Sequence, residues 1–247
     1  MNVIPAVDLK EGRCVRLFQG QRKKETLYSE DPVEMARFWQ NQGAKRLHIV
    51  DLDGAFDGES ENKEIIEEIL GELTIPCQVG GGIRTADSIK AILDAGADAA
   101  IIGTAGVNRP SRLLENVEEF GSHHVYAGVD CKDGQVMVKG WEVSSSFELT
   151  EWVERLEKMG LETVIYTDVD RDGAEVGPDY ERTNEILEKS NLNVIASGGV
   201  GTLEHIKQFG RILNKRLKGV IVGRALYEQN FTFSEARETI QALLAQN

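Results

Sequence analysis

Short apolar runs rich in β-branched residues alternate along this chain with longer segments whose apolar positions recur every three or four residues. The strand-like runs cover residues 3–7, 47–50, 77–79, 99–102, 125–129, 163–167, 194–196 and 220–222, eight in all. The helical segments between them are well punctuated. Asp31-Pro32 opens one that places Met35, Phe38 and Trp39 on a single face, and Gly43 closes it. Ile65, Ile66, Ile69 and Leu70 mark the next, then Ile89, Ile92 and Leu93, and later Leu149, Trp152, Val153, Leu156 and Met159. Strict strand–helix alternation demands parallel strands, because each helix returns the chain to the same edge.

An α/β chain of this kind closes either as a doubly wound open sheet or as a ring. An internal repeat decides between them. Val7-Asp8-Leu9-Lys10-Glu11-Gly12 returns 122 positions later as Val129-Asp130-Cys131-Lys132-Asp133-Gly134. Asp51-Leu52-Asp53 pairs with Asp168-Val169-Asp170, Gly81-Gly82-Ile83-Arg84-Thr85 with Gly198-Gly199-Val200-Gly201-Thr202, and Ile102-Gly103-Thr104-Ala105 with Val222-Gly223-Arg224-Ala225. Their offsets are 117, 117 and 120. Four strand–helix units occurring twice predict a single (β/α)8 TIM barrel built from two half-barrels, one domain over 1–247. In such a barrel site residues lie at the C-terminal ends of strands or in the loops that follow, where every repeated motif falls.

Size agrees, since a barrel of this type needs about 250 residues and the chain has 247. Its 41% hydrophobic content supports a sizeable core, without an apolar run near the ~20 residues of a membrane helix. The first residues lack a basic segment and are interrupted by Pro5, unlike a secretory signal, so the expectation is a cytoplasmic protein. Net charge is −13, which repels nucleic acid and anionic lipid. Cys14, Cys77 and Cys131 are scattered, with no CxxC and no His at metal spacing, so neither a disulfide framework nor a metal site is expected. No apolar stripe is left over once the helices are assigned to the barrel, and a monomer is the default.

The glycine motifs suggest anion binding. Gly80-Gly81-Gly82 follows the third strand and Gly198-Gly199 the seventh, and each is joined one strand later by Gly103-Thr104 or Gly223-Arg224. Glycine lets backbone N–H groups approach a phosphate, and the next helix N-terminus adds partial positive charge. The plainer alternative is that the glycines only shape tight turns. Duplication favours two phosphate sites facing each other across the mouth, hence an elongated ligand with a phosphate at each end.

Asp8 and Asp130 fall at the ends of the first and fifth strands, on opposite sides of an eight-stranded ring. They suit a general acid/base pair whose pKa values are separated by unequal surroundings, although capping of their own loops is the simpler role. Thr167 and Asp168 end the sixth strand, and Asp168 rivals Asp130 for the acid role. Trp141 lies in a loop and suits stacking on a flat heterocycle, whereas Trp39 and Trp152 have core spacing. His48, His123, His124 and His205 read as structural or surface residues. Neither a nucleophile elbow, a Walker loop nor a dinucleotide fingerprint is present, so no cofactor is expected.

At this point the chain resembles the histidine-biosynthesis barrels, and among them the ProFAR isomerases. The resemblance rests on residues 4–9, Gly12 to Gly20, His48 to Ala55, Gln78 to Arg84, Lys139-Gly140-Trp141 and Gly219 to Ala225, and covers essentially the whole length. It implies ring opening of a doubly phosphorylated aminoaldose, followed by an Amadori rearrangement that converts ProFAR to the aminoketose PRFAR without metal or cofactor. Asp8 would be the base acting at C2′ and Asp130 the acid at the ring oxygen, assisted by Thr167 and Asp168. Substrate contacts would come from Arg16, Gln19, Gly82, Arg84, Gly103, Thr104, Trp141, Gly177, Gly198, Gly199, Gly223 and Arg224.

One segment departs from that pattern. The family's sixth loop reads Asp-Gly-Thr-Leu-x-Gly-Pro, and here it is Asp172-Gly173-Ala174-Glu175-Val176-Gly177-Pro178, with a hydroxyl lost and a carboxylate gained. Other readings are the sister cyclase, which Pro5-Ala6-Val7-Asp8 and Lys139-Gly140-Trp141 disfavour, a dual isomerase that also accepts phosphoribosylanthranilate, and a non-catalytic phosphosugar-binding barrel.

Overall fold

In the computed structural model, which describes residues 1–58, 61–212 and 214–245, each predicted apolar run lies within a strand. Four further strands lie between them. In chain order the strands are β1 (Asn2–Lys10), β2 (Arg13–Phe18), β3 (Gln21–Ser29), β4 (Leu47–Asp51), β5 (Cys77–Gly80), β6 (Ala99–Ile102), β7 (Val125–Lys132), β8 (Gln135–Val138), β9 (Val143–Glu148), β10 (Thr163–Asp168), β11 (Asn193–Ser197) and β12 (Leu217–Val222). β1, β4, β5, β6, β7, β10, β11 and β12 pair in that order, all parallel, and β12 returns to β1 with Asn2 opposite Gly219 and Pro5 opposite Val222. The ring is a closed (β/α)8 barrel.

Alternation along the barrel strands sorts apolar side chains into an inner and an outer core, and a third small cluster of Val15, Leu17 and Leu52 lies under the first hairpin. Ile4, Ala6, Ala99, Ile101, Tyr126, Ile165, Ile195 and Ile221 fill the inside of the ring. Val3, Val7, Leu47, Ile49, Val129 and Tyr166 point outward and pack with helix residues such as Trp39, Trp152 and Phe209. Trp39 and Trp152 are buried, as their spacing predicts, but Phe38 is 46% exposed. The buried face of the helix Pro32–Asn41 runs through Val33, Ala36 and Trp39, which leaves Phe38 off the stripe. Among the described residues no helix is long and apolar enough to cross a membrane.

The period of two also fixes what stands above the inner core. Two residues beyond Ala6 comes Asp8, two beyond Ile165 comes Thr167, and four beyond Tyr126 comes Asp130. These three therefore share the inward parity at the C-terminal mouth.

Asp8 and Asp130 do not end their strands. β1 runs on to Lys10 and β7 to Lys132, and each turns back in an antiparallel hairpin, β1 with β2 and β7 with β8. Both turns put two residues at positive φ, Glu11 (50°) with Gly12 (74°) and Asp133 (49°) with Gly134 (86°). That is the type I′ geometry that suits a two-residue hairpin loop.

The repeated glycines are demanded by the fold itself. A Cβ on Gly81 would lie 2.1 Å from the carbonyl oxygen of Asp51, and one on Gly198 would lie 2.9 Å from that of Asp168. Both positions also have φ above 90°. Gly81→Ala is therefore expected to destabilise the fold by roughly 2–3 kcal/mol, because it adds left-handed strain to a backbone clash. Urea unfolding should show the loss as a lower midpoint, and an unchanged midpoint would contradict the close packing described.

Candidate active site

The carboxylates at the mouth are not equivalent. Asp8 is 9% exposed and accepts a 2.7 Å ion-paired hydrogen bond from Nη1 of Arg16, which β2 folds back over the ring. Burial pushes the Asp8 pKa up to about 6; Arg16 pulls it down, and the nearby Asp172 pushes it further up. Burial works against the charge on Arg16 too, but Asp8 and Asp172 outweigh it and hold the guanidinium protonated.

Asp130 has different company. Burial again raises its pKa, hydrogen bonds from Trp141 and Thr167 draw it down, and the Asp172 charge raises it. Its hydrogen-bonding partners are thus neutral donors. Burial beside Asp172 favours the protonated form of both carboxyls; a cation offsets it at Asp8, whereas only neutral donors offset it at Asp130.

Asp172 is a central residue to which motif position alone assigns no role. It influences both Asp8 and Asp130, lies 3.9 Å from Nη2 of Arg16, and is itself raised by burial against the pull of Arg16. Asp168 is not brought to this cluster. It follows Thr167 with outward parity, accepts the Arg171 N–H at 3.0 Å, and pairs with the Arg171 side chain at 3.3 Å. Its repeat mate Asp51 makes the same local bond, accepting from Gly54 N at 3.1 Å. Both are loop caps, and Asp172 takes the inward place expected of Asp168.

The two hairpins roof the mouth from opposite sides. Trp141, at φ 72°, lies so close over Gly20 that a Cβ there would sit 2.5 Å from its ring. Gln19 ties the first hairpin to the sixth loop, donating through its side chain to Asp170 O at 2.7 Å and through its N–H to Asp172 O at 3.2 Å. The structure thus gives Gln19 a loop-fastening place.

Because close packing already accounts for the glycines, the helix ends decide whether an anion can be held. The helices Ala86–Asp94 and Leu203–Gly210 are capped by Thr85 and Thr202. The short helices Thr104–Asn108 and Arg224–Tyr227 start after Gly103 and Gly223 with no side-chain cap. Their first N–H groups are available to a ligand. Gly103 has open space, the nearest atom lying 3.9 Å from where a Cβ would stand, and Gly223 packs on the Arg16 guanidinium. Arg16 Nε has no hydrogen-bond partner among the described residues, although Arg16 is only 9% exposed. It lines one pocket with Asp172, Gly198, Gly199, Gly223 and Arg224, so the second cradle opens into the carboxylate cluster.

Other expected contacts stand slightly apart. Arg84 donates to the carbonyls of Gly54 and Ala55 at 3.3 and 3.4 Å, Thr104 accepts the Lys139 N–H at 3.0 Å, and Gly177 donates to Gly199 O at 2.9 Å. His48 accepts from Gln78 Nε2 at 3.1 Å; burial, then Arg16, lower its pKa to about 3, which keeps it neutral.

The closed (β/α)8 ring thus carries at its mouth two inward carboxylates, an arginine paired with one of them and two uncapped helix ends. A family model described as "Histidine biosynthesis protein" matches residues 2–232. The chain is 45% identical to a protein of Desulforudis audaxviator over 96% of this chain and 90% of that one. It is 42% identical to one of Moorella thermoacetica, covering 96% and 97%, and 45% identical to one of Nitrosococcus oceani, covering 96% and 95%. All three are named 1-(5-phosphoribosyl)-5-((5-phosphoribosylamino)methylideneamino) imidazole-4-carboxamide isomerase. The chain belongs to the histidine biosynthesis protein family.

Proposed function

We propose that this barrel is the aldose–ketose isomerase of that family, converting ProFAR to PRFAR with Asp8 as base and Asp130 as acid. The observation that supports the assignment of roles is the unequal company of the two carboxylates, a guanidinium on Asp8 and only neutral donors on Asp130. Asp130 gives its proton to the ring oxygen as the C1′–O bond breaks, leaving a protonated imine at C1′. Asp8 removes the C2′ proton, and the electron pair moves to the imine nitrogen as an enolamine forms. Return of the Asp8 proton to C1′ and transfer of the enol proton to Asp130 yield the aminoketose. Both carboxylates end as they began, so the rearrangement balances without an external oxidant or reductant.

Thr167 and Trp141 orient Asp130, while Asp172 stands beside Arg16 and adds to the burial that favours the protonated form of Asp130. Asp168 acts through its loop. The phosphates lie at Gly82, Gly103 and Thr104 on one side and at Gly198, Gly199, Gly223 and Arg224 on the other, with Arg16 Nε serving the second and Gly177 and Arg84 fixing the adjoining loops. The chain works as one domain and as a monomer.

The test is an absorbance assay of the aminoaldose bisphosphate, run beside phosphoribosylanthranilate; no turnover of the bisphosphate would sink the proposal. The same assay over pH should give an acid limb near pH 6, because the base must be ionised and Asp8 is half-protonated there. Activity falls about tenfold per unit below that point. A limb near pH 4 would mean that the base is a carboxylate in an ordinary environment.

A further inference from the structure

The cradle formed by Gly199 and Gly223 contains a side chain that phosphate binding does not call for. Glu175 lines it with Arg16, Asp172 and Arg224. Its backbone is pinned, with φ at 58°, and its Cβ lies 2.5 Å from where a Cβ on Gly201 would stand. Only the side chain is free to turn.

That side chain faces the pocket incompletely satisfied. Glu175 Oε1 is shut off from solvent and has no hydrogen-bond partner among the described residues. Arg224 Nε stands 3.9 Å from it. Arg224 is already engaged, donating to Glu228 at 3.1 Å and to Gly173 O at 3.0 Å. A buried oxygen that is near a cation yet not hydrogen-bonded marks a position where negative charge is accepted but not tightly held.

The first half of the barrel supplies an internal comparison. The position 117 residues before Glu175 is Gly58, also left-handed at φ 86°, and it carries no carboxylate. At this loop position the second half carries a carboxylate that the first half lacks.

We infer that Glu175 is a resident anion of the second cradle, facing Arg224 when the site is empty and turning outward when a phosphate enters. The inference rests on the two-phosphate reading above. It makes the two ends of the ligand unequal: the phosphate at Gly82 and Gly103 meets no such competitor and anchors the molecule, and the other end closes against a charge opposing it. Removing the competitor strengthens phosphate binding at one cradle by about tenfold, the scale of a single charge repulsion at a partly shielded site.

Inorganic phosphate titrations followed by amide nitrogen–proton NMR read the two cradles separately, Gly199 and Gly223 reporting one, Gly82 and Gly103 the other. In Glu175→Gln, and again in Glu175→Gly, the dissociation constant at Gly199 and Gly223 should fall about tenfold. That at Gly82 and Gly103 should stay within about twofold. Glu228→Gln, which removes the exposed carboxylate on Arg224, should change neither by more than about twofold. An unmoved constant at Gly199 and Gly223 overturns the inference, as does an equal gain in Glu228→Gln. If phosphate shifts neither pair of amides in any variant, the two-phosphate reading falls and takes the inference with it.

Discussion

Asp8→Asn is expected to lower kcat by about 10³-fold or more, while substrate affinity stays within about tenfold. Asparagine keeps the shape of the side chain, and its oxygen still accepts from Arg16 Nη1, which now lies 2.7 Å from Asp8. In the proposed mechanism, what disappears is the capacity to take a proton from carbon. That capacity matters in the transition state far more than in the bound complex, so the loss falls on turnover. Steady-state kinetics combined with equilibrium binding of the substrate separates the two quantities. A kcat within about tenfold of the parent would remove Asp8 from the role of base, and a collapse of affinity with turnover preserved would assign it to substrate holding.

Arg16→Met should have the second-largest effect, and the effect should depend on pH. Arg16 is the cation that draws the Asp8 pKa down, whereas burial and the Asp172 charge both push it up. Methionine fills a similar volume without charge, so both upward influences act unopposed. The acid limb of kcat/KM then moves from near pH 6 to a higher pH, and a smaller fraction of Asp8 is ionised at pH 7. Adding the lost donor at the second cradle, kcat/KM at pH 7 should fall by about 10²–10³-fold, with partial recovery as pH rises. Arg16→Lys restores the charge but not the planar fork between Asp8 and Asp172, so its limb should lie between the two. A limb that stays at pH 6 in the methionine variant would show that Arg16 does not set the ionisation of Asp8.

The eight barrel strands are legible in the sequence because a parallel strand is buried on both faces and reads as an unbroken apolar run. β3 and β9 are not, for the opposite reason: Gln21–Ser29 and Val143–Glu148 are mixed or polar segments in hairpins outside the ring. The turn pairs Glu11-Gly12 and Asp133-Gly134 are the available signal, and they suggest loops rather than continued strands. Asp8, Asp130 and Thr167 stand out because motif position and strand parity agree. Asp168 is easily over-read and Asp172 under-read, since a run of alternating aspartates does not show where the strand stops and the chain turns. Counting by twos from Ile165 sends Asp168 outward. Arg16 enters the cluster only by the tertiary fold of the hairpin, which no local pattern encodes.

The seam between β12 and β1 joins residues about as far apart as this chain permits, Asn2 with Gly219 and Pro5 with Val222. Asp8 lies on the strand on one side of that seam, and Gly223 follows the strand on the other. During synthesis the first half therefore waits, with one edge of β1 unpaired, until the last strand leaves the ribosome. A prematurely terminated chain lacks both the closing strand and the wall that packs on Arg16. Closure of the ring and assembly of the mouth are thus the same event, and nascent fragments without the last strand are left with an open β edge for chaperones and proteases to recognise.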